Sequence, residues 1–144
     1  MLKIKLAVVL CALLLLIAGC AAKDDFADYS VTEHPQIEYL SAETEFAEYD
    51  GNAEAIYVFL TNDRDEYFHF DYYWWLEKEV DGEWRAIRFI QDRALDLVDY
   101  SMPRGTVSIW CELKDNVKQP LLPGHYRLWV GGDHGRVSAE FDVK

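Results

Sequence analysis

The chain has 144 residues, of which 51% are apolar, 15% aromatic and 28% charged, and its formal net charge is −12. This length and composition predict one globular domain with its own core and argue against a disordered chain. The negative charge argues against a nucleic-acid partner, because a polyanion is repelled by an acidic surface.

The first predicted element is an apolar N-terminal segment. Lys3 and Lys5 precede a run of 12 apolar residues, Leu6–Ile17, which is the arrangement of a secretory signal peptide. The longer apolar stretch Leu6–Ala22 has 17 residues, the lower limit for a helix that spans a bilayer. A retained membrane helix therefore stays an alternative to a cleaved signal.

A cysteine ends this apolar segment. The tetrapeptide Ile17–Cys20 has an aliphatic residue, two small residues and a cysteine, and it resembles the lipobox of bacterial lipoproteins. The resemblance implies that residues 1–19 are removed and that Cys20 carries a diacylglycerol. We expect a protein anchored in the cell membrane by this lipid and facing outward. If the organism has two membranes, Ala21 resembles the outer-membrane sorting signal.

The residues after the cysteine predict a tether. A mature chain without Lys3 and Lys5 would carry 12 basic and 26 acidic residues, so its acyl chains rather than its charge would hold it on a bilayer. Residues 20–36 are acidic, show no clean period and end near a proline. A flexible coil of this length would span roughly 20–24 Å, and the folded domain is predicted to occupy residues 37–144.

The domain itself is patterned as strands. Apolar and polar residues alternate in short runs separated by Gly, Pro, Asn and Asp, namely residues 68–76, 107–113, 126–130 and 137–143, and residues 56–60 form an apolar run typical of a central strand. Period two repeated in this way predicts an antiparallel sandwich or barrel. Residues 37–46 are interpreted as a first strand, although a helical spacing fits them as well. Residues 92–102 fit either a strand or a short helical turn.

The strongest local signal lies between Trp75 and Ile87. Asp81 and Gly82 stand between two alternating runs, which is the composition of a two-residue type I′ turn. Counting back from this turn predicts two core-facing pairs, Leu76 with Ile87 and Trp74 with Phe89. The same register places Lys78 opposite Arg85, a like-charge pair that solvent would have to screen or a bulge would have to shift.

The opposite face of this hairpin supplies the candidate binding residues. The register places there Tyr73, Trp75, Trp84 and Arg88, beside Glu77 and Glu79. A sandwich needs only one buried face on each sheet, so these rings are predicted to face solvent as an interface centre or a carbohydrate-stacking platform. The alternative is that Arg88 lies over Trp75 as a cation–π pair and a loop covers the rest.

Three stretches of residues 37–144 carry a family resemblance, namely VFLTND, LEKEVDGEWRAI and LLPGHYRL. They resemble the bacterial immunoglobulin-like domain of lipoproteins and secreted proteins, especially of Gram-positive bacteria. The resemblance implies an all-β, immunoglobulin-like antiparallel β-sandwich of about seven strands with Greek-key connections. In the third stretch Tyr126 is a candidate tyrosine corner, with an ordinary core tyrosine as the alternative. Leu128 stands where antibody domains carry their second cysteine, so aliphatic packing would replace the disulfide.

The sequence contains no pattern that predicts catalysis. The spacing of the four histidines does not match a zinc site. These histidines are His34, His69, His125 and His134. Cys111 alternates with core positions and is expected to be a buried, inert thiol. The acidic residues Asp63, Asp65 and Glu66 are interpreted as a solvated turn in preference to a calcium site. We expect no enzyme, no metal and no cofactor.

The predicted function is that of a lipid-anchored envelope protein. Its immunoglobulin-like domain would be a non-catalytic binding or structural module for a protein or glycan partner. One alternative is a small all-β lipoprotein that inhibits an envelope hydrolase, because a single exposed loop can suffice for inhibition. The other is an accessory, ligand-sensing subunit of a membrane complex. The fold by itself implies no single activity.

Overall fold

The computed structural model describes residues 23–28, 36–90, 100–132 and 135–144. The predicted signal peptide, Cys20 and residues 91–99 lie outside this part of the chain. The described residues form nine strands: β1 Leu40–Thr44, β2 Glu48–Tyr49, β3 Ala55–Asn62, β4 Phe68–Val80, β5 Glu83–Ala86, β6 Tyr100–Met102, β7 Gly105–Glu112, β8 Gly124–Gly132 and β9 Gly135–Val143. They include no helix that is long and apolar enough to cross a membrane.

The strands form two sheets, which confirms the predicted all-β sandwich. The small sheet has three strands in the order β1-β3-β7. The large sheet has six, in the order β2-β9-β8-β4-β5, with β6 paired to the start of β4. One pairing departs from the predicted antiparallel sandwich, because β2 runs parallel to β9. After β1 the chain crosses from the small sheet to the large sheet, where β2 pairs with β9 and runs in the same direction as β9.

The core lies between the two sheets and follows the predicted alternation. The small sheet contributes Ile56, Val58 and Leu60, which have no exposed surface. From the large sheet, the same layer contains Trp74, Leu76, Tyr126, Leu128, Ala139 and Phe141. The predicted first strand over residues 37–46 contains β1, and the end of the ambiguous stretch 92–102 is the strand β6.

The hairpin of β4 and β5 has the predicted turn and register. Asp81 and Gly82 have φ angles of 54° and 81°, the positive values that a type I′ turn requires at both positions. Val80 pairs with Glu83. Farther from the turn, the Ile87 amide donates to the Leu76 carbonyl at 2.8 Å.

The like-charge pair in this hairpin is relieved by the N-terminal segment, not by solvent or a bulge. Lys78 does lie opposite Arg85, but the Lys78 ammonium forms an ion pair with Asp24 at 2.8 Å. The guanidinium of Arg85 lies over the ring of Phe26, 4.2 Å from its centroid. Residues 23–28 therefore pack against the domain, and the prediction of a flexible coil is wrong for this part of residues 20–36.

Tyr126 forms the predicted tyrosine corner at the start of β8. Its hydroxyl donates to the carbonyl oxygen of Leu122 at 2.6 Å, and the side chain is fully buried. Burial raises the pKa of the Tyr126 phenol, and the nearby Asp24 carboxylate adds to this effect. Cys111 is the cysteine of the described residues, and it is fully buried as expected. This part of the chain is therefore held together without a disulfide.

We expect Tyr126→Phe to lower the free energy of unfolding of residues 21–144 by about 1–3 kcal/mol, because the Leu122 carbonyl loses its donor inside the protein. The matched control is Tyr57→Phe, in a side chain that is 42% exposed, which should cost less than about 0.5 kcal/mol. Urea denaturation followed by tryptophan fluorescence measures both. Equal losses in the two variants would show that the Tyr126 hydroxyl does not stabilise the corner.

Candidate functional site

The predicted binding residues all lie on the outer face of the large sheet, but none of their rings is freely exposed. Tyr73, Trp75 and Trp84 are half-buried, while Arg88 is exposed. The alternative, a cation–π contact of Arg88 with Trp75, is not formed. Arg88 turns instead toward the N-terminal segment, where its guanidinium donates to the Phe26 carbonyl at 3.0 Å and lies 3.2 Å from Asp25.

Trp75 is covered by an arginine from the neighbouring part of the sheet. The guanidinium carbon of Arg136 on β9 lies 4.0 Å from the centroid of the Trp75 ring. The ring passes over Gly131 of β8, where an added Cβ would lie 3.1 Å from it. Tyr73 contacts the Trp75 ring edge-on, with 4.6 Å between centroids. The small residue at 131 therefore leaves room for the Trp75 ring beneath Arg136.

Glu77 organises the second half of this face. It was predicted to border an exposed patch, yet only 3% of its surface is accessible. Its carboxylate forms an ion pair with Arg127 and accepts a hydrogen bond from the Trp129 indole at 2.8 Å. The Arg127 guanidinium thereby lies 4.3 Å from the ring of Trp84 and 4.8 Å from that of Trp129. In cation–π contacts of this kind, a charged side chain of the domain itself covers the face of an aromatic ring.

His125 packs beside Trp84 on this face of the large sheet. Its ring lies 5.5 Å from that of Trp84. Its two nitrogens face carboxylates of β9, with Nδ1 2.8 Å from Asp142 and Nε2 3.2 Å from Glu140. The hydrogen bond to Asp142 is the main cause that raises the pKa of His125 above its ordinary value of 6.5, and Glu140 acts in the same direction.

Among the described side chains of the strands, the exposed aromatic rings lie instead on the small sheet. Tyr57 and Phe59 of β3 are 42% and 40% exposed, and Trp110 of β7 is 59% exposed. Tyr57 and Trp110 are direct neighbours across the two strands, and their rings stack with 6.2 Å between centroids at an interplanar angle of 17°. We call these three residues the aromatic platform. No second layer covers it within the described part of the chain.

The apolar run in β3 is the sequence signal that accompanies this platform. Residues 56–60 are apolar at every position, a run typical of a central strand, and β3 is indeed the central strand of the small sheet. The structure buries only Ile56, Val58 and Leu60. An unbroken apolar run also describes a strand whose second face carries exposed aromatic residues.

Acidic and neutral side chains surround the aromatic platform. Glu43 lies directly opposite Phe59 on β1, and Glu112 lies opposite Ala55 on β7. The strand positions that share this outer face contain no basic residue, and they are Ser41, Glu43, Ala55, Tyr57, Phe59, Thr61, Thr106, Ser108, Trp110 and Glu112. The platform is therefore an apolar surface with a negative border.

The described residues give no support to metal chemistry. They contain no group of three His, Cys, Asp or Glu side chains that could hold a metal ion. In the loop between β3 and β4, Asp65 pairs with Arg104 at 3.3 Å. His34 and His134 lie outside the described part of the chain.

Truncation of the tryptophans should separate the covered face from the free one. Trp74→Ala, in the core, should cost about 3–5 kcal/mol of stability. Trp75→Ala and Trp84→Ala should each cost about 1–3 kcal/mol, because each also removes a cation–π contact with Arg136 or Arg127. Trp110→Ala should cost less than about 1 kcal/mol. Thermal or urea unfolding of each variant is the measurement, and losses at Trp75 and Trp84 as small as at Trp110 would contradict the cover by arginine.

The raised pKa of His125 predicts a dependence on pH. A folded pKa above the unfolded value means that the His125 contribution to stability is complete below about pH 6.5 and is lost as the pH rises through the folded pKa. NMR titration of the His125 ring should show this pKa, and Asp142→Asn should move it toward 6.5. An unchanged pKa in Asp142→Asn would show that Asp142 is not its cause.

Comparison with known proteins agrees with this architecture. The family model described as bacterial Ig-like domain matches residues 36–142. No curated protein matches the chain.

Two solved structures are similar at low sequence identity. A β-glucosidase from Erythrobacter marinus is 13% identical, with a TM-score of 0.44, over 72% of this chain and 15% of that one. The alkylpurine DNA glycosylase of Pseudomonas fluorescens, bound to DNA containing an abasic site analogue, is 16% identical, with a TM-score of 0.41, over 90% of this chain and 33% of that one. The chain thus spans a third or less of either protein.

The family match covers most of the chain and coincides with the two-sheet sandwich and its tyrosine corner. Such a fold indicates a non-catalytic binding or structural module. The chain belongs to the bacterial Ig-like domain family.

Proposed function

We propose that this protein is a lipid-anchored component of the cell envelope whose Ig-like domain binds a partner protein through the aromatic platform. Cys20, at the end of the lipobox-like tetrapeptide, is the anchor, and the domain faces outward from the membrane. In an organism with two membranes the anchor lies in the outer membrane. The observation that carries the binding proposal is the exposure of Tyr57, Phe59 and Trp110 on one sheet face.

The platform is favoured over the outer face of the large sheet as the contact surface. On the large sheet, Arg136 covers Trp75 and Arg127 covers Trp84, so a partner would have to displace charged side chains before reaching the rings. On the small sheet, the rings already meet solvent. Exposed Trp and Tyr at the centre of a patch are the residues that contribute most to protein interfaces.

The charge of the domain indicates the class of partner. The net charge of the chain is −12, and Glu43 and Glu112 lie on the same face as the platform. Such a surface repels polyanions such as nucleic acid and attracts a basic protein surface. We therefore propose a protein partner that places apolar groups on the three rings and basic groups near the two carboxylates.

The anchoring is tested by replacing Cys20. We expect Cys20→Ser to prevent lipid attachment, so that the protein is no longer processed as a lipoprotein and incorporates no radiolabelled palmitate. Cell fractionation and metabolic labelling measure this, with Cys111→Ser as the matched control in a buried thiol. Labelling that persists in Cys20→Ser, or is lost only in Cys111→Ser, contradicts the proposed anchor.

The contact surface is tested by placing a photo-crosslinking amino acid at position 110 in intact cells. Tyr67, 63% exposed on the loop between β3 and β4, is the matched control position. We expect a discrete crosslinked protein from position 110 and not from position 67. With that protein purified, Trp110→Ala should weaken binding about 30-fold or more, as a hot-spot loss of about 2 kcal/mol implies, and Tyr67→Ala should leave it unchanged.

Two outcomes would overturn this proposal. Crosslinks of equal yield at positions 110 and 67 would show that the platform is not the contact surface. Retention of the domain on purified peptidoglycan that is lost in Trp110→Ala would show that the rings stack on sugars, and the partner would then be a glycan.

A further inference from the structure

The N-terminal segment adds a short strand-like element to the free edge of β5. The amide of Ala27 donates to the carbonyl of Ala86 at 2.9 Å, and the amide of Arg88 donates to the carbonyl of Asp25 at 2.8 Å. Phe26 lies opposite Ile87 in this antiparallel bridge. Backbone pairing of this kind fixes the position of residues 25–27 on the domain, because the hydrogen bonds form only when the segment lies in this register along β5.

Three acidic side chains of the segment bind cations of the domain. Asp24 pairs with Lys78 at 2.8 Å, in a site where both side chains are largely buried. Asp25 and Asp28 lie 3.2 Å and 3.3 Å from the guanidinium of Arg88. The acidic residues that follow the cysteine in sequence are therefore docking groups, and they do not extend freely from the domain.

The docked segment lies beside the loop that precedes β8. Lys23, Asp24 and Asp25 line one shallow cleft together with Ile87 and the loop residues Lys118–Leu122. We call this side of the domain, marked by Lys23 and the loop Lys118–Leu122, the anchor side. It includes two exposed basic residues, Lys23 and Lys118, on a chain whose net charge is −12.

The covalent distance from the anchor to this side is short. Three peptide units separate Cys20 from Lys23, and a fully extended chain of that length spans at most about 11 Å. A free coil over residues 20–36 would instead allow roughly 20–24 Å and any orientation of the domain. The docking of residues 23–28 removes most of that freedom.

We infer that the anchor side lies against the phospholipid headgroups and that the docked segment fixes the orientation of the domain on the membrane. This inference rests on the proposed lipid at Cys20 and adds the surface that meets the bilayer. The pairing of Asp24, Asp25 and Asp28 with Lys78 and Arg88 keeps their carboxylates from repelling an anionic headgroup. Lys23 and Lys118 place positive charge on the anchor side, which favours binding to anionic phospholipids.

The orientation is tested with the lipidated chain in phosphatidylcholine vesicles that carry a nickel-chelating lipid. A Cys111→Ala background receives a nitroxide label either at Lys118→Cys, on the anchor side, or at Glu66→Cys, beyond the far end of β3. The two label positions lie at opposite ends of β3, whose eight residues span about 25 Å. We expect electron paramagnetic resonance to show severalfold stronger relaxation by the lipid-bound nickel at 118 than at 66.

Two variants test the role of docking. Asp24→Ala combined with Phe26→Ala should undock the segment and reduce the difference between positions 118 and 66. A flexible spacer of about twelve residues after Ala22 leaves the docked residues intact but lengthens the reach, and it should reduce the difference in the same way. The spacer variant keeps the test valid if the double substitution disturbs the fold.

The outcomes separate this inference from the proposed function. Equal relaxation at the two positions in protein that is bound to the vesicles overturns the fixed orientation and leaves the anchor at Cys20 intact. A chain that carries no lipid overturns the proposed anchor and the orientation together. A difference that persists unchanged with the spacer shows that something other than the short docked link sets the orientation, and it also overturns the inference.

Discussion

The buried carboxylate of Glu77 is the interaction on which the outer face of the large sheet depends. It binds the Arg127 guanidinium and the Trp129 indole together, so the charge is paired and its hydrogen bonds are made. Removing one partner of a buried pair leaves an uncompensated charge, which costs about 3–5 kcal/mol. Because Glu77 holds Arg127 in place, the guanidinium covers the rings of Trp84 and Trp129 on the outer face of the large sheet.

This cover decides which surface remains for a partner. On the large sheet, arginines occupy the positions that a ligand would use. On the small sheet, the rings of Tyr57 and Trp110 stack on each other, and both side chains are exposed to solvent. The same sheet is flanked by Glu43 and Glu112, so its chemistry is apolar at the centre and acidic at the border. The outer face of the large sheet is thus covered by the domain's own arginines, and the outer face of the small sheet is exposed to solvent.

The sequence predicted what depends on neighbours along the chain. The turn at Asp81 and Gly82 follows from the positive φ angles that these residues tolerate, and the core positions follow from the period-two alternation. The tyrosine corner follows from the position of Tyr126 after a Pro-Gly turn. Each of these features is encoded within about ten residues, and the structure has each of them.

Features that depend on distant pairing were not predictable in this way. The period-two pattern says which residues share a face but not what covers it, so Arg136 on Trp75 and Arg127 on Trp84 could not be assigned. The docking of residues 23–28 depends on Lys78 and Arg88, which lie more than fifty residues away. A short acidic segment has no period of its own that would reveal a partner.

Solvent accessibility of the five tryptophan indoles tests the central claim most directly, namely that arginines cover one face and leave the other free. A soluble paramagnetic agent broadens the NMR signal of each indole N–H according to its exposure. We predict that the Trp110 signal broadens most, that Trp74 and Trp129 are protected, and that Trp75 and Trp84 lie between these extremes. Broadening of Trp75 and Trp84 equal to that of Trp110 would contradict the account.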